Sequence, residues 1–322
     1  MERKALVLCL HTAFMGLRFS QIGAFSDNTA HRGDGYLTLP SWNLLAVFDG
    51  ISGDNGSGKE GALHLERALQ ETRELRIAIL ELIRSGKHAS TLALAQLKDD
   101  DSLEVHNVGD SRIYLLRDGQ MHRLTRDDTL LTDLQPHLGF LQGVPFNFES
   151  MRARLLELGR DIFYKEHESV IKIIKRYFRV RQTRDLFVVD NEDKIMNWLK
   201  LGPFLPRIRE DQGEDFNAAL LALLILNAGQ CLTKSLHTVS TVSPSVLTDV
   251  RPGDLILACS DGLYENLSRC EMLEYMNRLG NAQYLADRLV LAAQLKGRKR
   301  DDITAIVGIV QDDDGADGAL ED

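Results

Sequence analysis

The chain has 322 residues, 44% of them hydrophobic, and a formal net charge of −9 at pH 7, a globular composition able to bury a sizeable core in one large domain or two ordinary ones. It holds no run of about 18 consecutive apolar residues, so no membrane-spanning helix is predicted. Its four cysteines, Cys9, Cys231, Cys259 and Cys270, lie far apart without a C-x-x-C pair, which argues against a disulfide scaffold or a zinc site and fits a reducing, cytoplasmic setting.

Met1 to Lys4 and the apolar Ala5 to Leu10 have the outline of a signal peptide, but His11 interrupts it and no small-residue cleavage site follows. The segment is therefore expected to pack on the core. Phe19 to Phe25 predicts a first strand, a polar loop from Ser26 to Gly35 carries Asp34, and a second strand begins at Tyr36. Leu44 to Phe48 are five apolar residues in succession, too short a run for a typical helix and right for a strand buried on both faces. Asp49-Gly50 follows at once. A carboxylate held by the end of a rigid strand, beside a glycine whose carbonyl can approach a ligand, is a good place for a metal ion. A lone Asp-Gly pair more often marks only a turn; here the phrase recurs downstream.

Gly58 to Ser85 reads as one helix, with Leu65, Leu69, Thr72, Leu75, Ile79, Leu82 and Ile83 on one face and Gly86 as its stop. Strands then follow quickly at Thr91–Leu97, Leu103–Val108, Ile113–Leu116 and Gln120–Leu124, a spacing that predicts an antiparallel meander. Asp110 lies between two of them. Beyond Leu134, helices are predicted over Phe148–Tyr164, Glu168–Val180 and Glu192–Leu201, and Phe216–Leu226 reads as a helix apolar nearly all round. From Arg152 to Arg184 there are ten bases against four acids, whereas Asp312 to Asp322 hold six acids and no base. The basic stretch could be a solvated face or a docking surface for an anionic partner; no aromatic-basic motif accompanies it, which disfavours nucleic acid. The tail is expected to be disordered.

Leu255 to Ser260 is a further apolar run ending in an acid and a glycine, Asp261-Gly262. Arg300-Asp301-Asp302-Ile303-Thr304 puts acids immediately before the strand-like Ala305–Val310. Three carboxylates at strand ends can converge if the strands are neighbours of suitable direction, as antiparallel pairing would provide.

The segments Val47-Phe48-Asp49-Gly50-Ile51-Ser52-Gly53, Asn107-Val108-Gly109-Asp110-Ser111-Arg112-Ile113-Tyr114, Leu124-Thr125-Arg126-Asp127-Asp128, Cys259-Ser260-Asp261-Gly262-Leu263-Tyr264 and Asp301-Asp302-Ile303-Thr304 resemble, in this order, the motifs of the metal-dependent serine/threonine phosphatases of type 2C, the PPM family. The likeness covers residues 19–134 and 230–311, resuming at Cys231-Leu232-Thr233-Lys234-Ser235-Leu236. It implies an α+β fold in which two antiparallel sheets pack as a β-sandwich flanked by helices, with a helical insertion in the flap region. The catalytic domain would comprise residues 1–134 and 230–311, the insertion 135–229 and the acidic tail 312–322. The family has two long helices before its next strand where only one fits here, so Phe216–Leu226 is a candidate to cover the sheet face left open.

The activity implied is hydrolysis of phosphoserine and phosphothreonine on proteins by a water activated at a two-metal centre. All-oxygen ligands favour Mn²⁺ or Mg²⁺ over zinc. By resemblance Asp49 bridges the ions, Gly50 offers its carbonyl, Asp261 and Asp301 complete one shell, Asp34 holds water on the other ion and Asp110 contributes to a third, weaker site. The phosphate-gripping arginine of the family is absent from its usual place; Arg32, with Arg18 as fallback, could substitute. Ile51 stands where some members have a histidine that could act as acid. The implied partner is a phosphoprotein, docked through residues 152–184. The alternative is a pseudophosphatase or phosphoprotein-binding module on the same fold.

Overall fold

The computed structural model describes residues 16–51, 57–158 and 232–313, except residues 237, 243 and 245 and the side chain of Phe148, together with isolated positions between 169 and 226. All five residues of the strand Leu44–Phe48 (β3) are buried, and the reason is a layered arrangement. Leu45 and Val47 point into an inner core with Ala93, Ala95, Ile256, Ala258 and Ile306. Leu44, Ala46 and Phe48 point the other way, into a cluster with Leu65, Leu69, Ile79 and Leu82. Alternate residues of a strand face opposite sides of its sheet, so a strand between a second sheet and a helix layer must be apolar throughout.

The helices on that side are Ser57–Thr72 (α1) and Leu75–Ser85 (α2). Here the single helix expected over Gly58–Ser85 is corrected to two. Arg73 adopts a left-handed backbone conformation, φ 53°, which ends α1 and lets α2 fold back against it. Both α1 and α2 therefore pack on this sheet face, where one helix was expected; whether Phe216–Leu226 also covers it falls on residues that lie mostly outside those described. Gly86 closes α2 at φ 61°, as its composition suggests.

One sheet contains, in spatial order, Leu17–Asp27 (β1), Ile303–Asp312 (β10), Leu255–Cys259 (β9), Arg112–Arg117 (β6) and Gln120–Arg123 (β7). The other contains Gly35–Leu39 (β2), β3, Leu92–Leu97 (β4), Ser102–Val108 (β5) and Val246–Asp249 (β8). Every pairing is antiparallel. The meander expected from β4 to β7 is thus two hairpins in different sheets, because the turn at Gly109, with φ 93°, carries the chain across the sandwich. Over the outer face of the first sheet lie Asp261–Asn266 (α5), Arg269–Met276 (α6) and Ala282–Lys296 (α7). Leu263, Met272, Leu285, Leu289 and Ala293 pack there against Leu257, Cys259, Ala305 and Val307. The architecture is helix, sheet, sheet, helix, the α+β sandwich implied by the resemblance.

Leu130–Leu134 (α3) and Phe148–Leu158 (α4) follow β7. The chain leaves and returns at one place: Thr129 bridges to Leu232, the Thr233 amide donates to the Asp128 carbonyl at 2.8 Å, and the Lys234 ammonium donates to the Asp128 carboxylate at 2.7 Å. The helices expected over Glu192–Leu201 and over most of Glu168–Val180 and Phe216–Leu226 lie outside the described residues, as do Lys175, Arg176 and Arg179, the start of the chain and residues 314–322. Among the described residues no helix is long and apolar enough to cross a membrane.

If α1 is held by its buried stripe, Leu69→Ala should cost about 2–5 kcal/mol through lost transfer energy and an unfilled cavity. Leu63→Ala, at a side chain 61% exposed on the same helix, should change stability by no more than about 0.5 kcal/mol. Urea denaturation of the two variants checks this; equal losses would contradict the burial of this stripe.

Candidate active site

The acidic residues collect at one end of the sandwich. Antiparallel pairing of β9 with β10, in register Cys259 to Ala305, brings the end of one strand beside the start of the other, and with them Asp261 and Asp301. The Ser260 amide donates to the Thr304 carbonyl at 3.1 Å and the Thr304 amide to Ser260 Oγ at 3.0 Å, fixing this junction. Asp49 does not come from a neighbouring strand of the same sheet. It enters from β3 in the facing sheet, near enough for its Oδ2 to accept from the Asp261 amide at 3.5 Å. Convergence therefore depends on the packing of one sheet on the other.

Two close backbone approaches make this possible. A Cβ on Gly50 would lie 2.5 Å from the Gly33 carbonyl oxygen, and one on Gly262 only 2.0 Å from the Asp302 carbonyl oxygen. Any side chain at either position would push apart the segments that carry the acids. The Asp49 end is tied down as well: its amide donates to Thr91 Oγ1 at 3.0 Å, and that hydroxyl meets Ser111 Oγ at 2.7 Å, next to Asp110.

Asp34 is buried at the start of β2, and its Oδ2 accepts from Thr304 Oγ1 at 2.7 Å. When Asp34 is ionised it takes the Thr304 proton, and Ser26 Oγ then donates to Thr304 Oγ1 at 2.8 Å. Asn28 Nδ2 in turn donates to Ser26 Oγ at 2.8 Å. The result is a directed chain of donors ending on one carboxylate, closed by the Asp34 amide donating to Asn28 Oδ1 at 3.0 Å.

Neighbouring acids have divided roles. Asp301 faces Asp49 and Lys299, whereas Asp302, buried and still near enough to repel Asp34, accepts the amides of Ala30 at 3.0 Å, His31 at 2.9 Å and Gly33 at 2.7 Å. That grip shapes the loop in which Arg32 sits exposed with φ 59°, beside the acidic cluster. Arg18, the fallback for a phosphate contact, is at the other end of β1, 3.1 Å from Asp313. It is too far from Asp34 to serve, a correction that follows from the length of the strand.

The acids act on one another through their charges. Burial holds the Asp49 carboxyl well above the usual carboxylate range, and the charges of Asp34, Asp261, Asp110 and Asp301 raise it further. Burial pushes Asp34 up to about 7, against hydrogen bonds from Thr304 and Ser260 and with added repulsion from Asp261 and Asp302. Asp110 is pushed up to about 8 by burial and then by Asp261 and Asp127, with Lys299 opposing. Asp34, Asp110, Asp261 and Asp301 thus all lie within electrostatic reach of Asp49.

Lys299, by contrast, carries no expectation from the sequence, nor does Glu265. The Lys299 ammonium contacts Asp261 Oδ2 at 2.5 Å, Glu265 Oε2 at 2.9 Å and Asp301 Oδ2 at 3.1 Å. Its only sequence signal is a basic residue two positions before a proposed ligand. Among the described residues no three His, Cys, Asp or Glu side chains are disposed to hold one metal ion. The donor set nevertheless suits hard divalent cations, being all oxygen, largely buried and mutually repelling. Cys259 is no competitor: burial pushes its thiol up to about 12, and it packs among the outer helices.

Comparison with known proteins bears on the fold. A family model described as Protein phosphatase 2C matches residues 59–130, a span that includes Asp110 and excludes Asp34, Asp49, Asp261 and Asp301. Among solved structures, PppA, described as a key regulatory component of T6SS in Pseudomonas aeruginosa, is 17% identical with a TM-score of 0.54, covering 92% of this chain and 98% of its own. The PPM Ser-Thr phosphatase MsPP from Mycobacterium smegmatis, in complex with cacodylate, is 16% identical with a TM-score of 0.54, over 91% and 99% of the two chains. The catalytic domain of the serine threonine protein phosphatase PstP, in complex with 2 manganese ions, is 19% identical with a TM-score of 0.51, over 92% and 100%. At such identities the likeness establishes the fold: this chain has the fold of the PPM phosphatases. No curated protein matches it in sequence.

The raised Asp34 carboxyl has a consequence for stability. The unfolded chain ionises this group near its ordinary value of 3.8, the folded protein only near 7. Between these values the folded state binds more protons, so its stability must fall as pH rises; Asp110, at about 8, extends the loss upward. Metal-free protein should therefore unfold at lower urea concentration at about pH 8 than at about pH 5, and Asp34→Asn should narrow the difference. A wild-type protein more stable at the higher pH, with chelator present throughout, would contradict this account.

Proposed function

We propose that this chain, built on the fold of the PPM phosphatases, hydrolyses phosphoserine and phosphothreonine on proteins in a metal-dependent reaction. The observation that carries the proposal is the meeting of Asp34, Asp49, Asp110, Asp261 and Asp301 at one end of the sandwich, where Asp34, Asp110, Asp261 and Asp301 raise the proton affinity of the buried Asp49 and only Asp261 and Asp301 have a cation, Lys299, beside them. Bringing carboxylates together this way is costly unless cations or protons compensate them. Phosphomonoester hydrolysis is the kind of reaction that repays such a site, since it is extremely slow unaided, with enzymes accelerating it by up to about 10²¹.

Two divalent cations, Mn²⁺ or Mg²⁺, when bound would activate a water molecule and neutralise charge on the phosphoryl oxygens. Asp49, reaching across from the facing sheet, would be shared between them, with the Gly50 carbonyl, Asp261 and Asp301 as further ligands and Asp110 beside a third, weaker position. Asp34, oriented by Thr304, would hold a proton of bound water. Arg32 would grip the phosphate from its clamped loop. Ile51 leaves no side-chain acid immediately after the Asp-Gly turn, so the leaving group would take its proton from water or from a group other than residue 51. Cys259 is no nucleophile in the scheme, because a thiol with its pKa pushed up to about 12 supplies almost no thiolate at neutral pH. We place the protein in the cytoplasm, its substrates being phosphoproteins that dock on residues 152–184.

The scheme is tested with manganese, an aryl phosphate and a phosphothreonine peptide. Asp49→Asn and Asp261→Asn should each lower kcat by at least about 10²-fold, roughly 2.7 kcal/mol of barrier, while remaining folded, since losing a carboxylate relieves repulsion. Near-native turnover by either variant would refute the assignment. Arg32→Ala should raise KM for the peptide more than it lowers kcat, as expected where a cation contacts ground and transition states alike; an unchanged KM moves the phosphate grip elsewhere.

A further inference from the structure

Lys299 is held at both ends. Its amide donates to Asn266 Oδ1 at 2.9 Å, and its carbonyl accepts from Asn266 Nδ2 at 3.0 Å. Asn266, fully buried at the end of α5, also donates to the Gly262 carbonyl at 2.8 Å. The segment after α7 is thereby pinned to the helix that begins with Asp261. From this anchor the side chain runs to three carboxylates, at 2.5, 2.9 and 3.1 Å. An ammonium has three N–H donors, and here each has one acceptor.

Two of those acceptors, Asp261 and Asp301, are the residues proposed to complete the shell of one metal ion; Glu265 is outside that set. The cluster is therefore uneven. Among the described residues Asp34, Asp49 and Asp110 have no ion-pair partner, whereas Asp261 and Asp301 already share a positive charge. A divalent ion approaching the second pair meets an ammonium that repels it and occupies the oxygens it needs.

We propose that the Lys299 ammonium is a tethered cation filling the position between Asp261 and Asp301, so that a divalent ion must displace it to bind there, with Glu265 as the carboxylate that retains it. The inference rests on the metal-dependent reading of the site, and it makes Lys299 a positioning residue that sets metal affinity. The ammonium stabilises the metal-free protein and weakens one of two metal positions. Burial alone would ease its deprotonation, but Asp261, Glu265 and Asp301 outweigh burial and keep it charged.

The test titrates Mn²⁺ into chelator-stripped full-length protein, counting bound ions by electron paramagnetic resonance, and follows thermal unfolding of the stripped protein separately. Lys299→Gln should bind Mn²⁺ at the weaker position at least about tenfold more tightly than wild type and should melt lower than wild type when stripped. Glu265→Gln, a change at a partly exposed side chain, should shift Mn²⁺ affinity in the same direction by a smaller factor, and stands in if Lys299→Gln does not fold. Unchanged or weaker Mn²⁺ binding in both variants overturns the proposal. The two readings fail separately. Wild type that hydrolyses phosphopeptide in manganese while both variants bind Mn²⁺ as it does keeps the phosphatase and removes the tethered cation. Inactive wild type whose Lys299→Gln variant gains an Mn²⁺ ion does the reverse.

Discussion

Repulsion among carboxylates at one end of the sandwich is the constraint to which much of the structure responds. Asp34, Asp49, Asp110, Asp261 and Asp301 come from both sheets, and nothing in their mutual interaction holds them together. The rest of the chain must do so. Hydrogen bonds to Thr304 and Ser260 favour the ionised form of Asp34, and Lys299 compensates Asp261 and Asp301. Asp49, buried among Asp34, Asp261, Asp110 and Asp301, has no such compensation among the described residues. Repulsion of this kind is relieved by taking up protons or cations.

The force that imposes the arrangement is apolar. β3 buries every side chain because its two faces serve different cores, and each Leu or Phe so placed contributes about 1.5–3 kcal/mol. Asp49 is therefore attached to one of the least movable strands in the molecule. β9 has four of its five residues buried, and Asp261 follows it directly. Rigid strands spend packing energy to hold charges where charges repel, and the glycines at positions 50 and 262 let backbones meet without a side chain between them.

How far this could be read from residues alone depended on whether the determining contact was local. Leu44–Phe48 was legible to the residue, because burial on both faces leaves a continuous apolar run that few other environments produce. The two helices after it were not separable. Leu69, Thr72, Leu75 and Ile79 keep helical spacing straight through the break, and the residue that turns the chain, Arg73 in a left-handed conformation, is neither glycine nor proline. The turn at Gly109 announced a reversal but could not say that the chain changes sheet, since turn chemistry is the same in either case. β8 was missed because only four residues form it and they alternate at an exposed edge. Asp49, Asp261 and Asp301 were visible as acids at strand ends; Lys299 was not, since its significance lies in Glu265 and Asn266, more than thirty positions earlier and given meaning only by α5.

Asp301 and Asp302 show why identity in sequence does not fix role. They are adjacent and chemically alike, yet a strand about to begin points consecutive side chains to opposite sides, and the two carboxylates enter unlike environments. Asp302 meets three backbone amides and becomes part of the loop's frame. Asp301 meets other acids and an ammonium. A carboxylate whose lone pairs are spent on fixed amides has little left to give a mobile cation, whereas one paired with a flexible lysine can exchange that partner for an ion of higher charge. The geometry thus divides the pair into one carboxylate held by backbone amides and one held by a side-chain ammonium.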